Sequence, residues 1–150
     1  MIQRIFFNNY LLLLPVLSWG AAQVIKTVLT LIINKKFSVE RLFGAGGWPS
    51  SHSALVCSLF MGAARKFGVE SPYFAIAFVL AAIVMYDAMG VRRETGEQSK
   101  VLNILLEDLK ENKQDIDYNR KLKEMVGHTP FQVLSGALLG ILISILIPVF

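Results

Sequence analysis

The chain has 150 residues, of which 54% are apolar or aromatic and only 17% charged, where a soluble domain carries about a quarter charged residues. With a mean hydropathy of +0.53, an ordinary water-soluble globule is excluded, and the length fits one domain rather than two. Sixteen of its 26 charged side chains fall between Arg92 and Glu124, the layout of membrane spans joined by one wet loop; the net charge of +4 suits anionic headgroups or phosphates rather than nucleic acid.

Tyr10 to Ile33 is an apolar stretch with one charge, Lys26, long enough as a helix to cross about 30 Å of hydrocarbon. Arg4 and the small residues Gly20, Ala21 and Ala22 also fit a signal peptide, but the apolar character continues to Ile33 and favours a span. A polar, glycine-rich connection over 34–48 follows. The next apolar run, Ser53 to Ala64, is too short to cross alone. Adding Trp48 to His52 and letting Arg65 and Lys66 snorkel outward brings it near the lower limit. Gly68 and Pro72 mark a turn, and Tyr73 to Val91 reads as a third span interrupted only by Asp87. The 92–127 segment is wet. Within it Val101, Leu102, Leu105 and Leu109 fall at helical spacing and predict an amphipathic helix on the membrane or over the bundle; a solvated helical hairpin fits the same pattern. Phe131 to Phe150 carries no charge and predicts a fourth span. The single Cys57 excludes an internal disulfide.

Four crossings place the 34–52 connection and the 92–130 segment on one side, with both termini and the 65–72 turn on the other. The first side holds Lys35, Lys36, Arg41 and the eight basic residues of the long loop, so the positive-inside rule makes it cytoplasmic.

Three stretches on that side carry polar chemistry: Gly46 to Ser53, Asp87 to Arg93, and Gly127 to Gly136. Both histidines, His52 and His128, stand at the start of an apolar helix. There the unpaired backbone N–H groups favour an anion, and an imidazole can exchange a proton near neutral pH. Each piece has a plainer explanation when taken singly. Pro49-Ser50-Ser51 is an ordinary helix start, and Thr129-Pro130-Phe131-Gln132 fits a capping box. Arg92 and Arg93 at a span end suit headgroup anchors. Lys26 and Asp87, ionisable groups inside spans, mark either function or a structural ion pair.

In combination, Pro49-Ser50-Ser51-His52 resembles the Pro-Ser-Gly-His motif of the type 2 phosphatidic acid phosphatases and vanadium haloperoxidases. The stretch His128-Thr129-Pro130-Phe131-Gln132-Val133-Leu134-Ser135-Gly136 resembles their final His-Tyr-Pro-Ser-Asp-Val-Leu-Ala-Gly. Over most of residues 19–140 the chain looks most like the divergent branch of that superfamily, small bacterial and plant membrane proteins whose first span carries a Trp, an Ala-Gln and a Lys, as Trp19, Ala22-Gln23 and Lys26 do here.

The resemblance implies an all-α integral membrane protein, a single domain over residues 1–150 with about four membrane helices in a reduced phosphatidic-acid-phosphatase-like bundle. It leaves open whether a homodimer completes the wall. It implies a lipid-phosphate phosphatase in a bacterial plasma membrane, with membrane lipids as partners. His128 would be the nucleophile and His52 the general acid. Arg92 or Arg93, with Lys26 and Arg41, would hold the phosphoryl oxygens, assisted by Ser50, Ser51 and their backbone. Such a site works by positioning and charge, with no metal or cofactor expected.

The chain also departs from the family pattern. The acidic partner of the nucleophile is replaced by Gln132, which can fix the imidazole tautomer but adds no charge; Asp87, on the adjacent span, is the candidate to supply the missing carboxylate. The arginine that precedes the nucleophile in the family is absent at Leu122, as if the charged loop were inserted between Arg93 and His128. The family's first motif is broken at Asn34 and Leu42, and Ser51 stands where the second motif has Gly. Loss of turnover with the anion pocket kept, giving a lipid-phosphate binding or transport module, is the alternative expectation. A mere four-helix scaffold leaves Lys26 and Asp87 unexplained.

Overall fold

A computed structural model describes residues 9–35, 47–111, 122, 124 and 127–150, and these are helical apart from short connections. In chain order the helices are α1 (Tyr10–Asn34), α2 (Ser51–Phe67), α3 (Pro72–Met89), α4 (Val91–Glu111) and α5 (Pro130–Leu146). Their starts follow from local chemistry. The side chains of Asn9, Ser50, Ser71 and Thr129 accept from first-turn N–H groups, and proline at the start of α3 and α5 gives up a donor with no helical partner. Each such cap contributes about 1 kcal/mol.

The helix α2 is the centre of the bundle, packed on α1, α3 and α5. Its first turn meets Lys26 of α1, while Gly62 near its end lies against Leu14 and Tyr10; α1 and α2 are therefore antiparallel. On its other side, Gly136 and Gly140 of α5 press against the backbones of Ser50 and Ala54, so α2 and α5 run parallel. A side chain at either glycine would collide with backbone that has nowhere to move. The buried face of α1 is a stripe at i, i+4 spacing of Tyr10, Leu14, Ser18, Ala22 and Lys26. Val56, Cys57, Ala81 and Ala137 form the apolar contact of α2 with α3 and α5.

Two stretches, Tyr10–Ile33 and Pro72–Leu109, are long and apolar enough to cross a membrane. The other two expected spans have 17 residues each, about 25 Å of helix: α2 has the near-limit length expected but is shifted to Ser51–Phe67, and α5 is shorter than its apolar run. Helix α5 stops at Leu146 rather than at Phe150 because Ile147 precedes Pro148 and is extended. Arg65 and Lys66 do not simply snorkel. Arg65 donates to the carbonyls of Ser144 and Ile147 and to the Tyr10 hydroxyl, because the last carbonyls of α5 have no helical partners, and Lys66 donates to the Phe150 carbonyl beyond the helix. The amphipathic helix of the long loop is longer than its apolar spacing indicated and begins directly after α3, at Val91. Among the described helices it packs on α3 alone. It leaves Val101, Leu102, Ile104 and Leu105 exposed, while Asn103 on the opposite side bonds Leu122 and Glu124.

Candidate functional site

Two backbone hydrogen bonds bring the three motif stretches together. Ser50 N–H donates to the Gln132 carbonyl at 3.0 Å, and His128 N–H donates to the Ala88 carbonyl at 2.9 Å. The first joins the start of α2 to the first turn of α5, and the second joins the residue ahead of α5 to the end of α3. Gly127, at φ +90°, lies flat on the Arg92–Arg93 backbone, where a Cβ would sit 2.5 Å from Arg93 N. Only glycine allows that approach.

His52 and His128 face each other across this junction, with ring centroids 6.4 Å apart, close enough for both to contact one small group between them. They line a cavity of about 230 Å³ together with Asp87, Ala88, Arg92, Gly127, Ile83 and Val84. That is smaller than the roughly 300–1,000 Å³ of a site that engulfs a drug-sized ligand.

The orientation of His128 is set by the cap of α5. Gln132 Oε1 accepts from Thr129 N–H at 3.0 Å and also lies 3.2 Å from His128 Nδ1. A backbone N–H only donates, so the amide atom facing the imidazole is an acceptor. In the neutral ring, Nδ1 therefore carries the proton and Nε2 keeps its lone pair. Burial holds the His128 pKa below its ordinary value; the charges of Lys26, His52 and Arg92 push the same way, and the Gln132 hydrogen bond opposes them. At neutral pH the ring is therefore held in its neutral form.

The remaining expected residues occupy distinct places. Ser50 is the buried N-cap of α2, its Oγ accepting from Ser53 N–H at 3.3 Å and bonded to Ser53 Oγ at 2.9 Å. Lys26 is 2% exposed, and its Nζ donates to Ser51 Oγ at 3.2 Å; it stands behind the first turn of α2 rather than lining the cavity, with Gly47 packed on its methylenes. Arg92 lines the cavity and its Nε lies 2.6 Å from Asp87 Oδ2. Asp87 is thus paired with Arg92, not Lys26, and the acceptor on His128 is Gln132, not Asp87. Arg93 is exposed and contributes backbone to the seat of Gly127 but does not line the cavity. Arg41 lies outside the described residues. Among the described residues, no three His, Cys, Asp or Glu side chains converge to hold a metal.

Two features escaped the sequence reading. Ile83 and Val84, the apolar wall of the cavity, lie one turn before Asp87, so their i, i+4 and i, i+3 spacing was the available signal. Trp48 and Phe131 stack at 6.3 Å and 8°, joining the segment ahead of α2 to the first turn of α5; each adjoins a proline, Pro49 and Pro130.

The comparisons with known proteins agree on one lineage. The sequence pattern of the divergent PAP2 family matches residues 7–143. An uncharacterized membrane protein of Bacillus subtilis (strain 168), YuiD, is 38% identical over 152 aligned residues, covering 95% of this chain and 96% of that protein. No solved structure matches.

Proposed function

The chain belongs to the divergent PAP2 family, and from that premise we propose that it is an integral membrane phosphatase acting on lipid phosphates, monoesters or diphosphates, through a phosphohistidine. The observation that carries this reading is the pair His52 and His128, facing each other at 6.4 Å across a cavity that also holds Arg92. His128 Nε2 attacks phosphorus, the bond from phosphorus to the lipid oxygen breaks, and His52 gives that oxygen a proton. His52 then takes a proton from water, which attacks the phosphohistidine and releases inorganic phosphate. Arg92 stabilises the phosphoryl oxygens as charge builds on them. Lys26, Ser50 and Ser51 hold the start of α2 and add positive potential from behind. Arg41 and Arg93 are further contacts for the headgroup.

The protein crosses the membrane with α1 to α3 and α5, the two shorter helices accommodated by local thinning. The basic side, which carries the cavity, faces the cytoplasm of a bacterial cell. The bilayer supplies the partner molecules, and a second copy of the chain is a candidate wall of the bundle.

A second reading is favoured by Gln132. An amide fixes the tautomer without stabilising the imidazolium, which suits a site that binds lipid phosphate and turns it over slowly or not at all. Phosphate release from detergent-solubilised lipid phosphates by the wild type, His128→Ala and His52→Ala separates the two. The enzymatic reading expects release by the wild type, and loss on the order of 10⁴-fold in His128→Ala. Equal release by all three, or none by the wild type, overturns it.

A further inference from the structure

Asp87 is the anomaly of the site. A carboxylate in an anion-binding cavity opposes phosphate, and the obvious reason to keep one, partnership with the nucleophilic histidine, is taken by Gln132. Its actual contact is with the arginine: Asp87 Oδ2 lies 2.6 Å from Arg92 Nε. That bond spans the break at Gly90, joining the last turn of α3 to the first turn of α4.

Arg92 needs such a tether. Its side chain is long, rich in rotamers and 49% exposed, and its helix packs on α3 alone among the described helices. The guanidinium presents five N–H donors in a fixed plane. Engaging Nε occupies one corner of the fork and leaves the two terminal amino groups, for which no described residue is an acceptor. Those groups form the edge that suits two oxygens of a phosphoryl group.

We propose that Asp87 is a positioning residue, holding Arg92 by Nε so that its terminal amino edge is presented to an oxyanion between His52 and His128. The proposal rests on the phosphate-binding part of the reading above but not on turnover. It divides the two effects of Asp87. Its negative charge weakens phosphate binding, and its acceptor oxygen strengthens it by fixing the arginine.

Two variants separate those effects in the full-length protein in detergent, with binding of inorganic phosphate measured by calorimetry. Asp87→Asn keeps an oxygen that accepts from Nε and removes the charge, so it binds phosphate as tightly as the wild type or several-fold tighter. Asp87→Ala removes both and binds about tenfold more weakly. If Asp87→Ala binds as tightly as the wild type, or if both variants bind more tightly, the tether is wrong and Asp87 merely repels phosphate. The Arg92 Nε–H resonance gives a readout that needs no phosphate: it is slowly exchanging in the wild type and in Asp87→Asn, and fast in Asp87→Ala. Fast exchange in the wild type overturns the proposal. Phosphate bound without any hydrolysis overturns the hydrolase reading and leaves this one standing; a wild type that binds no phosphate overturns both.

Discussion

The two ends of the bundle both gather basic side chains, and they use them in opposite ways. At the end formed by Arg65, Lys66 and Tyr10, the cations are spent on the chain itself. Arg65 donates to the Ser144 and Ile147 carbonyls and to the Tyr10 hydroxyl, and Lys66 reaches the Phe150 carbonyl at 2.8 Å and lies 5.8 Å from the centre of the Tyr10 ring. At the end formed by His52, Arg92 and His128, the polar groups surround a cavity instead. Among the described residues Arg92 is held through one nitrogen only, and His128 turns its second nitrogen away from its own partner. Basic character alone therefore does not identify a site; what matters is whether the chain already satisfies the donors.

Four perturbations bear on that contrast. Replacing Gly136 or Gly140 by leucine drives a side chain into the Ser50 or Ala54 backbone; the cost exceeds the roughly 1–3 kcal/mol of ordinary overpacking, and loss of folded protein in size-exclusion chromatography checks it. Arg92→Ala is expected to lower kcat/KM for lipid phosphate by about 10²–10³-fold, the cost of one oxyanion donor, with an unchanged circular dichroism spectrum. Arg65→Ala should do the reverse: the melting temperature falls by about 4 °C while kcat/KM stays the same. A matched loss of activity in Arg65→Ala would erase the distinction between the ends.

The smallest effect is on pH dependence. The His128 pKa is lowered, chiefly by burial, so the unfolded chain takes up this proton at a higher pH than the folded protein does. The stability that His128 confers by staying neutral is fully present above the ordinary histidine range and is lost as pH falls through it. Melting temperatures measured from pH 7.5 to 5 should therefore fall less steeply in His128→Ala than in the wild type, and the acid limb of activity due to His128 should lie below the ordinary histidine range.

Much of the architecture was legible in the sequence, and the failures have identifiable causes. Apolar length and capping residues predicted α1, α3 and the start of α5, because hydrophobic runs and caps are local signals. Apolar composition alone carries α5 to Phe150, whereas Pro148, through its effect on Ile147, stops the helix at Leu146. The roles of Arg65 and Lys26 were not legible, since each depends on a partner set by tertiary packing, Ser144 and Ser51; the pairing of Asp87 with Arg92, five residues on, depends on the helix break at Gly90. The two histidine motifs were recognisable only in combination. Each alone reads as a helix cap, which each also is: Ser50 and Thr129 cap their helices while placing His52 and His128. In this protein the caps and the site share the same residues.

If His128 is the nucleophile, it carries the phosphoryl group between the two chemical steps, and that intermediate can be trapped. Wild-type protein mixed with a ³²P-labelled lipid phosphate and quenched in alkali within milliseconds should carry an acid-labile, alkali-stable label that peptide mapping locates at His128. His52→Ala should carry the same label when the leaving group needs no proton, and His128→Ala should carry none. Hydrolysis without any protein-bound phosphate, or a label on another residue, would contradict the account.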